Sequence, residues 1–157
     1  MSIWKKLILT TAFIGFYFLI LRPIRSYTAE IIRPIVKTQN FETYNQSSVS
    51  TTIIYSSKNL TKEFPFKIPF GMFFLFSTIS LIFISAGWKN FGILCLIQIF
   101  FWLIAFVSML FGSKGNLFFL EVMDMILRYL LPLSSLGFPA YLIIQKRSNA
   151  EIDSYES

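Results

Sequence analysis

Long apolar stretches alternate with short charged punctuation over most of this chain. Leu7 to Leu21 carries no charge and follows Lys5-Lys6. Ile68 to Trp88 is uncharged for 21 residues and Phe91 to Ser113 for 23, and a last apolar segment ends near Gln145, ahead of Lys146-Arg147. At ~1.5 Å per residue, helices of this size reach roughly 28–35 Å, which matches a hydrocarbon core of ~30 Å. No small-x-small cleavage site follows the first stretch, where Arg22-Pro23-Ile24-Arg25 stands instead, so it reads as an uncleaved, signal-anchor-like helix from about Ile3 to Leu21. Lys89-Asn90 and Lys114-Gly115-Asn116 read as tight turns between spans.

The segment from 22 to 67 differs in character. It holds seven of the fourteen basic residues. Ser26 to Lys37 has the spacing of a short amphipathic helix, with Ile31, Ile32, Ile35 and Val36 on one side, which Pro34 would kink or end. Tyr44 to Ser57 is rich in Ser, Thr and β-branched residues and reads as a strand or hairpin. It is too small to have a core of its own, so it is expected to lie on the membrane surface or on a partner. Two glycosylation sequons, Asn45-Gln-Ser47 and Asn59-Leu-Thr61, fall here and read as chance in such a composition.

The pattern therefore predicts an all-α membrane protein of about four transmembrane helices, with a small polar β-like segment between the first and second. Its parts are a first helix at 1–21, an extramembrane and exported segment at 22–67, a three-helix membrane region at 68–147 and a disordered polar tail at 148–157. Lys5-Lys6, Lys89 and Lys146-Arg147 share one side in this arrangement and favour cytoplasmic termini, while the basic 22–67 segment argues for the inverse. The signal-anchor form of the first helix decides for cytoplasmic N- and C-termini.

Composition agrees with lipid as the solvent. Of 157 residues 55% are apolar and 18% aromatic, including 19 Phe, more than a soluble domain of this size can hide. The net charge of +6 sits beside the apolar runs, where Lys and Arg orient helices and touch headgroups, so it does not point to nucleic acid. The absence of histidine removes the Ser-His-Asp and Cys-His nucleophile systems and the usual zinc and haem ligand sets. No cofactor or metal site is expected. Cys95, the single cysteine, reads as a small buried apolar residue. Trp4 and Trp88 sit where interfacial anchors belong.

One cluster of charge lies near an apolar run. Glu121, Asp124 and Arg128 fall within a 60° arc of one helix, and the stripe continues through Pro132, Ser135 and Pro139. Three central charges would cost roughly 8–10 kcal/mol against about 4–6 returned by the apolar residues. Either the span is only Tyr129 to Gln145, with the acids in the headgroup layer, or the stripe faces another helix or a wet cavity. Small residues repeat every seven: Gly71, Thr78 and Ser85 in the second span, Gln98, Ala105 and Gly112 in the third. That spacing lets helices approach closely and gives Gln98 a bond across.

The order of elements (one helix, a polar β-like segment, three helices) and the run Phe64-Pro-Phe-Lys-Ile-Pro-Phe-Gly71 resemble the small accessory membrane proteins found beside exosortase-type transpeptidases of bacteria. The resemblance implies a partner protein of the bacterial plasma membrane without an active site. The expected function is thus non-catalytic: an accessory or scaffold subunit of a larger membrane complex, bound to a membrane-protein partner or to copies of itself. The alternative is a small oligomeric transporter or channel subunit that uses Glu121, Asp124 and Arg128 as a polar path. An enzyme built on Glu121 and Asp124 lacks a nucleophile or phosphate site.

Overall fold

The structure of the chain, a computed structural model, describes residues 1–36, 41–47, 50–57, 60–112 and 114–155. Two long helices frame it. The first comprises α1 (Ile3–Phe16), a π-helical turn (Tyr17–Leu21) and α2 (Arg22–Val36) without a break. The last comprises α5 (Leu117–Met125), a second π-helical turn (Ile126–Leu130) and α6 (Leu131–Tyr155). Between them come the strands β1 (Phe41–Ser47), β2 (Ser50–Ser57) and β3 (Leu60–Lys67), then α3 (Met72–Phe83) and α4 (Trp88–Gly112). The chain is mostly helical, with one small antiparallel sheet in the order β1-β2-β3. Two helices, Ile3–Ile32 and Trp88–Gly112, are long and apolar enough to cross a membrane; Met72–Phe83 is apolar but shorter.

The two π turns have the same local cause. Each is followed, after one residue, by a proline: Pro23 in the first helix and Pro132 in the second. Proline has no N–H to give, and its ring clashes with the carbonyl four residues back. In both helices the residue just before the proline bonds five residues back instead of four: Arg22 N–H to the Tyr17 carbonyl, and Leu131 N–H to the Ile126 carbonyl. A π turn holds one residue more than an α turn. Everything after it is therefore rotated by about 100°, one residue's share of a 3.6-residue turn. The buried positions record this slip. In the last helix Leu120, Met123, Leu127, Leu131 and Ser135 all face inward, and three successive steps of four replace the usual alternation of three and four.

Four sequence expectations are corrected here. The first helix does not stop at Leu21, because neither Arg22 nor Pro23 ends it once the π turn has made room. The second apolar run, uncharged over 21 residues, forms a helix of only 12, about 18 Å long. Phe70 and Ser85 take positive φ, 60° and 55°, at its two ends. At the far end Ala86 N–H bonds the Leu81 carbonyl and Ser85 N–H the Ile82 carbonyl, the pair of bonds that closes a helix on a left-handed residue. The turn before α4 consequently falls at Ile84–Gly87, and Lys89-Asn90 lies inside α4. Finally, the polar tail continues α6 as helix to Tyr155.

The sheet reaches further than the expected hairpin, with β3 as its third strand, and one of its faces packs on the helices. Side chains alternate faces along a strand, so Lys62, Phe64 and Phe66 of β3 share one face, and Ile53 stands opposite Phe64. Ile53, Phe64 and Phe66 are buried in one core with Ala29 and Ile32 of α2, Ala105 and Met109 of α4, and Leu120 and Met123 of α5. The sheet thus caps one end of the helices and borrows their core. A second cluster, Phe74, Leu81 and Leu94 with Phe13, Phe91 and Phe138 around it, joins α1, α3, α4 and α6 nearer the other end. Of the two sequons, Asn59 lies outside the described residues and the other begins in β1.

Candidate functional site: a buried polar seam and a clamped corner

Three side chains from three helices meet in the middle of the bundle. Gln98 of α4 donates its Nε2 to Ser135 Oγ of α6. Ser135 Oγ lies 2.7 Å from the Leu131 carbonyl of its own helix. Ser77 Oγ of α3 lies 2.6 Å from the Ser135 carbonyl and 2.7 Å from the Phe73 carbonyl, and it donates to one of them at a time. All three residues are buried. A serine at this depth keeps its hydroxyl satisfied within its own helix, and the spare capacity of the neighbouring carbonyl or oxygen ties a second helix.

Of the small-residue stripes, Gln98, Ala105 and Gly112 are all inside. At Gly112 an added Cβ would meet Leu120 Cδ2 at 2.6 Å, so α4 and α5 touch there through the glycine. The other stripe is not brought together. Gly71 and Ser85 lie outside α3, Gly71 just before its first residue and Ser85 two past its last, and only Thr78 is within it. Ser77, one residue away, carries the bond between helices. Reading by sevens alone missed it, because the heptad picked the neighbour whose hydroxyl is buried without a partner.

The charged stripe divides at the second π turn. Glu121 Oε1 lies 2.6 Å from Lys62 Nζ of β3, with both side chains about half exposed. Asp124 and Arg128 pair within their own helix at 3.1 Å, although the Asp124 oxygen has no hydrogen bond of good geometry. Ser135 and Pro139, expected on the same face, have instead turned into the bundle. Glu121 therefore stands at the sheet end, against β3, with the Asp124–Arg128 pair following it on the same helix.

Sequence reading passed over Arg25. Its Nε donates to the Pro69 carbonyl at 2.7 Å and its Nη2 to the Ile68 carbonyl at 3.1 Å, while Nη1 lies 3.3 Å from the hydroxyl of the buried Tyr17. A planar fork with five donors suits two adjacent carbonyls. It fixes the connection in which Phe70 holds its positive φ, and so sets where α3 begins. The π turn makes this reach possible: on a regular helix Tyr17 and Arg25 would sit about 80° apart, and the slip brings them within roughly 20°. The signal in the sequence was Pro23, two residues before Arg25.

Among the described residues no three His, Cys, Asp or Glu side chains group as a metal site would require. No protein-family model matches the chain, and neither a curated protein nor a solved structure does.

Proposed function

We propose that the chain is a non-catalytic integral membrane protein crossing the bilayer four times, the short α3 doing so together with the non-helical residues 68–71 that lead into it, and that it serves as an accessory subunit of a larger membrane complex. The observation that carries the membrane part is the outer surface of the helices. Leu19, Leu96 and Ile144 are 79%, 67% and 68% exposed and belong to three different helices. Rows of Ile, Leu and Phe accompany them, while the polar side chains of the seam turn inward. That is the distribution lipid selects, since a hydroxyl or amide facing hydrocarbon has no partner. The outer ends of α1 and α6 lie together beside the end of α3, because Lys6 and Lys146 reach its last carbonyls. Both termini are then on one side, and the basic residues there favour the cytoplasm.

Support for the accessory role comes from the sheet. β1 and β3 are the edge strands; β3 packs against α5, and no strand pairs with the outer edge of β1 among the described residues. A free edge offers backbone N–H and C=O groups in the pattern to which a partner strand adds. The layout's likeness to exosortase-associated proteins names the class of partner to look for. The pairing of Glu121 with Lys62 of the sheet favours the accessory reading over a transport path along that stripe.

Carbonate washing of native membranes, followed by gentle purification and mass spectrometry of what stays bound, tests both parts. Retention in the washed membrane with a stoichiometric larger membrane protein is expected. Release by carbonate would overturn the membrane reading, and a clean homo-oligomer would overturn the accessory one.

A further inference from the structure

Between α1 and α4, with α3 as its floor, runs an apolar groove of about 770 Å³ whose walls include Ala12, Phe16, Phe74, Ile82 and Phe91. Into its floor falls Thr78, buried, with a hydroxyl that has no hydrogen-bond partner. At the outer end of the bundle the groove reaches Ser85 and Ala86. These same two residues also border a second cleft, of about 390 Å³, walled by Asn90, Gln145, Lys146 and Asn149. An apolar channel thus turns, across the Ile84–Gly87 loop, into a polar one.

Positive charge gathers at the loop between the two, where Lys146 walls the cleft and Lys6, which lines neither cavity, reaches the residue just before it. Lys6 from α1 sets its Nζ 2.5 Å from the Phe83 carbonyl, and Lys146 from α6 sets its own 3.5 Å from the Ile84 carbonyl. Two ammonium groups therefore converge from opposite helices on consecutive residues. Each carries three donors and directs one at a carbonyl, which leaves both with donors for an anion. Asn90, Gln145 and Asn149 bring amide groups to the same cleft.

Resting on the membrane reading above, we propose that this composite site holds one anionic phospholipid, its acyl chain in the α1–α4 groove and its phosphate head in the cleft walled by Lys146, with Lys6 held on the adjacent carbonyl. A helix from a partner is a straight rod some 10–12 Å wide and cannot follow the turn from groove to cleft; a flexible chain with a charged head can. The tail gains nothing over bulk lipid, because the bilayer is as apolar as the groove. Selectivity must come from the head. Each lysine near an anionic headgroup favours it about fivefold, so two give roughly 30-fold over a zwitterionic lipid.

The test uses the full chain in nanodiscs of equimolar phosphatidylglycerol and phosphatidylcholine, with native mass spectrometry of the lipid retained on release. One phosphatidylglycerol per chain is expected. The double variant Lys6→Gln, Lys146→Gln, in which amides still serve the two carbonyls, should retain both lipids equally. Ala12→Trp, on the exposed wall of the groove, should retain neither. Equal retention by the unaltered protein, no lipid retained, or a preference untouched by the two glutamines overturns the proposal. Carbonate washing of the native membranes from which the chain is purified separates this failure from the failure of the membrane reading, which alone predicts that the protein stays in the washed membrane.

Discussion

Replacing Gly112 by alanine adds one methyl group at a close contact between α4 and α5. The new Cβ would stand 2.6 Å from Leu120 Cδ2, 2.7 Å from its Cγ and 3.3 Å from its backbone nitrogen, whereas carbon atoms rest at about 3.5–4.0 Å. Leu120 has no exposed surface into which to retreat, and only four residues separate its helix from the end of α4, so the corner moves as a unit. Overpacking of this kind costs about 1–3 kcal/mol. Alanine returns at most ~1 kcal/mol of helix propensity, and less at a helix end, which leaves a net loss of about 1–2 kcal/mol. Gly137→Ala is the control: it lies within α6 with nothing near an added Cβ, so it should gain up to ~1 kcal/mol. Leu120→Ala alone opens a cavity and should cost about 2–5 kcal/mol. Combined with Gly112→Ala it should cost less than on its own, since the new methyl points into the space Leu120 vacates. Denaturant unfolding in detergent, followed by tryptophan fluorescence, reads all four; Trp102 stacks on Phe106 and packs against Phe66 in the same core. If Gly112→Ala is neutral or stabilising, or if the double variant equals the sum of its singles, the close approach of α4 and α5 is refuted.

Ser135→Ala should lower stability by about 0.6–1.7 kcal/mol, the range of hydrogen bonds between membrane helices, because it strands the buried Gln98 amide; adding Gln98→Leu should restore most of the loss, and the same unfolding assay shows an additive double variant if the seam is not one network. Ser85→Gly should raise the unfolding midpoint by the equivalent of about 1 kcal/mol, as a left-handed residue costs a side chain roughly 1–2 kcal/mol that glycine avoids. Glu121→Gln should shift stability by less than about 1 kcal/mol, the worth of a half-exposed ion pair, and leave partner retention in pull-down intact; loss of an ion flux in proteoliposomes would instead revive the transport alternative.

How much of this was legible in the sequence depends on what the residues had to reveal. The uncharged runs disclosed α1 and α4, and Gln98 with Ala105 and Gly112 disclosed one packed face, because hydropathy and helical spacing are properties of the chain itself. The length of α3 was not legible: a run of 21 uncharged residues cannot tell that Phe70 and Ser85 adopt positive φ, a choice made by Arg25 gripping Ile68 and Pro69 and by the closing bonds to Leu81 and Ile82. β3 was obscured by Pro65, tolerable there because β3 is an edge strand of the sheet, and its inward face was visible only as Lys62, Phe64 and Phe66 at every second place. Ser135 was seen but assigned to the wrong face. A constant 100° per residue puts it beside Asp124 and Arg128, and the extra residue ahead of Pro132 breaks that count.

Each of the two π turns stores one surplus residue, and that surplus is slack the chain can take up. Remove one residue between Tyr17 and Leu21 and the helix closes to an ordinary α form, yet Arg25 then follows Tyr17 by seven places in place of eight and still points at Ile68 and Pro69. What would suffer is Pro23, whose ring is pressed again onto the carbonyl one turn earlier; exchange it for alanine and the shortened helix has neither clash nor misdirection. Length and direction are thus separable along this rod, and proline is the element that makes the longer version necessary.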